Sequence, residues 1–247
     1  MRLNEQMALV TGAARGIGFA VASRLAAVGA AVAVCDRNGP GAEAAAARLK
    51  AEGARAVGLT MDVSEEESVD SGVKRACAEL GKLTIAVNAA GVWSAFPIDV
   101  LPFEEWRRIQ AVNLDGAFLI ARAAFREMKK HAYGRIINIS SGIFIDPYPG
   151  YSHYAASKGG MIALTRSIAV EGGPLGITCN SIAPGTIASE GALATHKEEG
   201  FAYALRVQAV KRRGEPEDIA DAVAYFASPK AGFVTGQTLY LNGGTRF

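Results

Sequence analysis

Tyr154 and Lys158 stand four positions apart in the run Tyr151-Ser152-His153-Tyr154-Ala155-Ala156-Ser157-Lys158. The residues that follow read as helix, and a spacing of i, i+4 sets both side chains on one face. A phenol beside an ammonium is an acid/base pair. The cation favours the phenolate and is expected to draw the tyrosine pKa down from about 10 toward neutrality. A proton donor and acceptor tuned near working pH is what carbonyl reduction or alcohol oxidation needs. The same spacing also arises on helices that carry only a surface Tyr and a surface Lys. The pair therefore gains meaning from the elements around it.

A second constellation lies near the start of the chain. The apolar run Met7-Ala8-Leu9-Val10 reads as a buried strand and enters Thr11-Gly12-Ala13-Ala14-Arg15-Gly16-Ile17-Gly18. A helix with an apolar stripe at Ile17, Val21, Leu25 and Val28 follows and stops at Gly29. Strand, glycine-rich turn and helix form the setting of a dinucleotide-binding loop. Glycines let the backbone approach a pyrophosphate, and the helix N-terminus offers free N–H groups and a positive dipole end. The spacing is G-x-x-x-G-x-G rather than the general G-x-G-x-x-G. The next strand, Ala31 to Asp36, ends in an acid placed to accept hydrogen bonds from an adenosine ribose. A carboxylate there repels a 2′-phosphate, so Asp36 argues for NAD over NADP. Arg15 and Arg37 argue the other way, since either guanidinium could reach a phosphate.

Strands and helices alternate along the rest of the chain. Ala42 to Lys50 is helical, Ala54 to Met61 is a third strand, and Val69 to Leu80 is a helix. Asp62 could meet an adenine or cap the helix after it; both readings stand. Leu83 to Val87 is a fourth strand ending in Asn88-Ala89-Ala90-Gly91, small residues that suit close approach of a ligand or helix. Phe103 to Val112 and Leu114 to Lys130 read as helical, with Asn113 at the junction between them, where an Asn can serve as a local backbone partner or mark a kink. The fifth strand, Gly134 to Ser141, delivers two hydroxyls, Ser140 and Ser141, at its carboxyl end, where doubly wound sheets bind ligands. The helix of Tyr154 and Lys158 runs on to about Glu171. Ile177 to Ile182 is a sixth strand, and Thr238 to Leu241 is the last. Residues 187 to 213 have a mixed pattern with no strand and suit a helical lid. The expected architecture is α/β: a single Rossmann-type doubly wound parallel sheet of about seven strands flanked by helices, with residues 1–247 as one unit.

Composition excludes several classes. Net charge is +2 over 247 residues, and Lys211-Arg212-Arg213 is followed at once by Glu215, Glu217 and Asp218. Neither nucleic acid nor an anionic membrane is an expected partner. The cysteines, Cys35, Cys77 and Cys179, are scattered in apolar runs, as in a reducing compartment. His131, His153 and His196 are dispersed, and no metal-ligand spacing occurs. No secretory signal or membrane span is evident, so the chain reads as cytoplasmic.

Thr11-Gly12-x-x-x-Gly16-Ile17-Gly18, Asn88-Ala89-Ala90-Gly91, Asn113, Ser141, Tyr154-x-x-x-Lys158 and Pro184-Gly185 occur in this order. Together they closely resemble the short-chain dehydrogenase/reductase family, over essentially the whole chain. The resemblance implies that Tyr154 is the general acid/base. Lys158 lowers its pKa and holds the nicotinamide ribose, Ser141 holds the substrate oxygen, and Asn113 holds a water linking Lys158 to solvent. Gly12, Arg15, Gly16, Ile17 and Gly18 would cradle the pyrophosphate and adenosine end. Asp62, Val63 and Asn88, with Ala90 and Gly91, would line the adenine side, and Ile187, after Pro184-Gly185 and before Ser189, would meet the carboxamide. The family's usual Asn-Asn-Ala-Gly is here Asn-Ala-Ala-Gly, so Ala89 lacks an amide that braces the sheet centre. A homotetramer is implied.

The substrate is expected to be a small-molecule alcohol or carbonyl compound, aromatic or cyclic. Trp93, Ile143, Phe144, Tyr148, Tyr151 and Leu193 are its expected pocket. The run around Tyr154 resembles the family's aryl secondary-alcohol dehydrogenases, and the lid resembles its pyridoxal 4-dehydrogenase branch. The general match also fits NADPH-dependent 3-oxoacyl carrier-protein reductases; a nucleotide-sensing protein that uses the same fold without turnover is the other alternative, and the intact set of Asn113, Ser141, Tyr154 and Lys158 speaks against it.

Overall fold

The structure is a computed structural model and describes residues 2–195 and 198–245. The lid residues His196 and Lys197, and Met1, Arg246 and Phe247 at the ends, lie outside the described residues. Seven strands form one parallel sheet in the order β3-β2-β1-β4-β5-β6-β7. They are β1 (Met7–Thr11), β2 (Ala31–Asp36), β3 (Ala56–Thr60), β4 (Leu83–Asn88), β5 (Gly134–Ile139), β6 (Ile177–Pro184) and β7 (Thr238–Leu241). The helices are α1 (Gly16–Ala27), α2 (Gly39–Ala51), α3 (Glu66–Leu80), α4 (Phe103–Gln110), α5 (Gly116–Met128), α6 (Ser152–Gly172), α7 (Glu190–Thr195), α8 (Glu198–Val207) and α9 (Pro216–Ala227).

Both faces of a parallel sheet are covered, so its strands can be apolar throughout. Strands β1, β4, β5 and β6 are buried at every position. Successive side chains point to opposite faces. Ala8, Val10, Val32 and Val34 pack with Val21 and Leu25 of α1 and Ile219, Val223 and Phe226 of α9. Met7, Leu9, Ala33 and Leu83 pack on the other face with Val69 and Val73 of α3 and Ile120 and Ala121 of α5.

Three local features differ from the sequence-based expectation. Strand β5 ends at Ile139, so Ser140 and Ser141 follow it rather than closing it. Asn113 does not break the helix: one π-helical turn, Ala111–Asp115, carries α4 straight into α5. Such turns widen the backbone ring by one residue and re-aim a side chain. The lid segment is held at its base, because Ile187 and Gly214 form an isolated parallel bridge. In its basic stretch Arg212 is bonded to both oxygens of Asp218 at 2.7 and 2.6 Å.

The missing amide at Ala89 is offset by Thr11. Its hydroxyl accepts from the N–H groups of Ala89 and Ala90, both at 3.2 Å, and donates to Asn88 at 3.3 Å. Among the described residues no helix is long and apolar enough to cross a membrane, and no cluster of His, Cys, Asp and Glu suits a metal. All three cysteines are free, and burial pushes the thiols of Cys35 and Cys179 up to about 12.

Candidate active site

Strand order reverses between β1 and β4, and the crevice beyond the carboxyl ends of those strands is the binding position of doubly wound sheets. Four expected residues converge there from different elements. Ser141 follows β5, Tyr154 and Lys158 lie on the first turns of α6, and Asn113 sits in the π-helical turn.

Lys158 is 4% exposed. Its Nζ donates to the carbonyl of Ile139 at 2.8 Å and lies 5.8 Å from the centre of the Tyr154 ring. Burial pulls the lysine pKa down to about 8. The tyrosine corrects an expectation. Its pKa is raised, first by burial, with a smaller contribution from Tyr151; a hydrogen bond with Ser141 opposes this. The lysine spends its hydrogen bond on the sheet, so the cation does not offset the desolvation of the phenol. The Ser141 oxygen also accepts from the N–H of Ile143 at 3.2 Å, which fixes it facing the tyrosine.

Asn113 is fully buried. Its amide pairs both ways with Val92, accepting from the N–H at 2.8 Å and donating to the carbonyl at 2.9 Å. It also donates to Ser157 at 3.1 Å, and Ser157 donates to the Tyr154 carbonyl at 2.8 Å. Asn113 thus ties the segment after β4 to the turn bearing the tyrosine. Gly91 borders this centre: a Cβ there would lie in contact with both groups, 3.4 Å from Lys158 Nζ and 3.5 Å from Asn113 Oδ1.

The glycine turn fits a dinucleotide pyrophosphate. Helix α1 begins with no side-chain cap and no acid in its first turn, leaving its N–H groups and dipole unopposed. Gly12 has φ +62°, and a Cβ on it would stand 2.7 Å from Ala90 Cα. Gly18 packs against the Gly12 carbonyl in the same way. Ser189 faces Gly16, which brings the start of the lid over the turn. Arg15 and Arg37 are exposed.

Asp36 both supports and borders this turn. One carboxylate oxygen accepts from the Ala14 N–H at 3.1 Å and the other from the Asn38 N–H at 3.0 Å. Each oxygen retains lone pairs for a ribose hydroxyl. Asp62 accepts from the N–H and hydroxyl of Ser64 at 2.9 and 2.6 Å, while α3 starts from Glu65, so Asp62 is not its cap. Val63 is buried against Gly116 of α5 and can offer a ligand only its backbone. Pro184 and Ile187 are buried, and Gly185 packs on Asn242.

The expected pocket residues do not share one cavity. A hollow of about 590 Å³ lies between Ala95–Asp99 and Pro147–Ser152, and takes Tyr148 and Tyr151 into its lining. Tyr151 meets the Tyr154 ring edge-on at 6.5 Å. Trp93 instead packs beside Gly191 of α7, Phe144 beside Gly159 of α6, and Leu193 is exposed. Ile143 is buried.

Sequence reasoning missed Ser157, although it sits inside the Tyr154 to Lys158 run. It also missed Ser94 and Gln110, which contact His153 from 59 and 43 positions away, and Glu105, which accepts from Ser94. No periodicity signals these contacts.

The family described as Enoyl-(Acyl carrier protein) reductase matches residues 12–246. The short-chain reductase protein NovJ of Streptomyces niveus is 38% identical, over 97% of this chain and 94% of that one. The 3-oxoacyl-[acyl-carrier-protein] reductase FabG of Vibrio cholerae is 39% identical, over 99% and 98%. A solved 7α-hydroxysteroid dehydrogenase, in complex with NADH and 7-oxo glycochenodeoxycholic acid, superimposes with a TM-score of 0.95 at 32% identity, over 98% of this chain and 95% of that one.

Proposed function

The chain belongs to the short-chain dehydrogenase/reductase family of oxidoreductases, and from that premise we propose that it catalyses NAD(H)-dependent hydride transfer on an aromatic or cyclic alcohol or ketone. The observation that carries the reading is the convergence of Ser141, Tyr154 and Lys158 beyond β5. A nicotinamide dinucleotide, when bound, accepts or supplies the hydride. The protein orients the reacting carbon and handles the proton.

In reduction the neutral Tyr154 phenol gives its Oη proton to the carbonyl oxygen as the hydride reaches the carbon. In the oxidising direction its phenolate takes the hydroxyl proton as the C–H hydride leaves, and the C–O bond becomes a carbonyl. Ser141 Oγ holds the substrate oxygen and opposes the charge that develops on it. Lys158, anchored on the Ile139 carbonyl beside the phenol, would hold the nicotinamide ribose, and Asn113, through Ser157, holds the tyrosine turn in place. Gly12, Gly16 and Gly18 receive the pyrophosphate, and Asp36 receives the adenosine ribose. Arg15, Ile17, Arg37, Asp62, Val63, Asn88, Ala90, Gly91, Pro184, Gly185, Ile187 and Ser189 complete the cofactor site. Residues 1–247 act as one unit, with 187–213 as lid. Exposed Phe103, Phe118, Val170 and Phe233 support a homo-oligomer.

A second reading, a 3-oxoacyl thioester reductase using NADPH, is favoured by the similarity to FabG. The two separate in one assay: formation or consumption of reduced cofactor, with NAD(H) and NADP(H) in parallel, on cyclic and aryl secondary alcohols, pyridoxal and 3-oxoacyl thioesters. Turnover with NAD and a cyclic or aryl alcohol supports the first reading. Turnover confined to NADPH and a 3-oxoacyl thioester replaces it with the second.

A further inference from the structure

His153 immediately precedes Tyr154, and its side chain is wholly buried. Its Nε2 lies 2.9 Å from the hydroxyl of Ser94, in the segment between β4 and α4. Ser94 also donates to Glu105 of α4, whose carboxylate is held by Arg108 at 2.7 and 2.8 Å. The carboxylate can only accept, so the serine proton points toward Glu105. The serine oxygen must then accept from His153, which places the ring proton on Nε2. Nδ1 is buried with no partner. A second proton there would be a buried donor without an acceptor. The carboxylate bonds the hydroxyl rather than Nδ1, so the cluster is not a hydrolytic triad. Gln110 of α4 donates to the His153 carbonyl at 2.9 Å, gripping the same turn from its backbone.

We propose that Ser94, Glu105 and His153 form a latch, part-buried and centred on the buried His153 ring, that positions Tyr154, fastening the pocket wall and α4 to the first turn of α6 while His153 is neutral. His153 is a positioning residue and touches no reacting atom. The charged groups that bear on it are Glu105, which favours its protonation, and Arg108, which opposes it; burial, acting in the same sense as Arg108, outweighs Glu105 and lowers its pKa. The segment after β4 contributes the Ser94 hydroxyl, and its own helix contributes the adjoining Tyr154. When His153 gains a proton, the new Nδ1–H has no acceptor and the turn carrying Tyr154 must shift. A displacement near 1 Å at a reacting group costs up to about a hundredfold in rate.

The proposal rests on Tyr154 as the proton carrier, and its test separates the two ideas. Nitrogen-15 NMR of histidine-labelled full-length protein reads the ring directly. The latch requires His153 to carry its proton on Nε2 and to titrate below an ordinary histidine. A proton on Nδ1, or ordinary titration near 6.5, overturns it, whatever the kinetics. In parallel, turnover is followed against pH for Ser94→Ala, His153→Leu, His153→Gln and Tyr154→Phe. The first two are expected to lose about tenfold or more in kcat with cofactor KM unchanged. Gln, which keeps a donor toward Ser94, is expected to restore most of kcat and to abolish the acid limb. Wild-type kcat and pH profile in Ser94→Ala overturn the latch; Ser94→Ala leaves α6 untouched, so the test stands even if His153→Leu does not fold. Undiminished turnover in Tyr154→Phe overturns the acid/base reading instead, and the NMR result still decides whether the latch exists.

Discussion

Lys158 Nζ stands 5.8 Å from the centre of the Tyr154 ring but gives its hydrogen bond to the Ile139 carbonyl, 2.8 Å away. The cation is anchored to the end of β5, not to the phenol. Burial then acts on both groups in the same sense. It lowers the lysine pKa and raises that of the tyrosine, and each is driven toward its neutral form.

This predicts a conflict between stability and activity at Lys158. A lysine shifted from 10.5 to about 8 costs the fold on the order of 3 kcal/mol at neutral pH. The sign follows from proton binding. Between those pH values the unfolded chain holds the proton and the folded chain does not, so the contribution is most favourable above 10.5 and is lost as pH falls through about 8. Lys158→Met is expected to raise Tm by several degrees at pH 7 while reducing turnover at least about a hundredfold. Thermal denaturation at pH 7 and pH 10 checks it: the advantage should shrink at pH 10.

Asp36 should govern both cofactor choice and the glycine turn. Asp36→Asn removes the charge that repels a 2′-phosphate and keeps one acceptor oxygen for Ala14 or Asn38. The ratio of kcat/KM for NADP over NAD is expected to rise about tenfold or more, with stability reduced by about 1 kcal/mol. Initial rates with both cofactors and a urea titration measure the two effects.

Gly12→Ala should disable the cofactor site without touching the catalytic residues. The left-handed backbone and the 2.7 Å approach to Ala90 leave no room for a methyl group. A loss of about 1–3 kcal/mol is expected. NADH fluorescence should show binding weakened at least about tenfold.

Glu105 should report on acid stability. Its hydrogen bonds from Arg108, and secondarily from Ser94, hold its pKa at about 2, against an ordinary 4.5. The stabilisation is therefore complete above 4.5 and is lost as pH falls toward 2. Solvent screening limits it to about 1 kcal/mol. Glu105→Gln should be less stable than the parent at pH 7 and indistinguishable from it near pH 2, as measured by denaturant titration.

Strand and helix order was legible because burial on both sheet faces writes apolar runs such as Met7–Val10 and Leu83–Val87, and glycine marks the turn after β1. The hydroxyls after β5 followed from the rule that ligands sit beyond strand carboxyl ends, while the joining of Ser141 with Tyr154 and Lys158 at one crevice came from the family resemblance. The π-helical turn at Asn113 was not legible, since a helix with one extra residue per turn leaves no compositional mark. Neither was the Tyr154 pKa. Spacing told that Lys158 shares its face, but not that its hydrogen bond goes to Ile139. The contact of Ser94 with His153 spans 59 positions and exists only once β4, α4 and α6 have packed.

The most direct test of the account is turnover by Tyr154→Phe beside the parent chain, with NADH binding measured on both proteins. The substitution removes one oxygen from a buried ring and leaves the glycine turn, Asp36 and Lys158 in place. The account predicts a loss of about 10²–10⁴ in kcat with cofactor affinity within about twofold of the parent. Retained turnover with the phenol oxygen gone would contradict it and move the proton to another group.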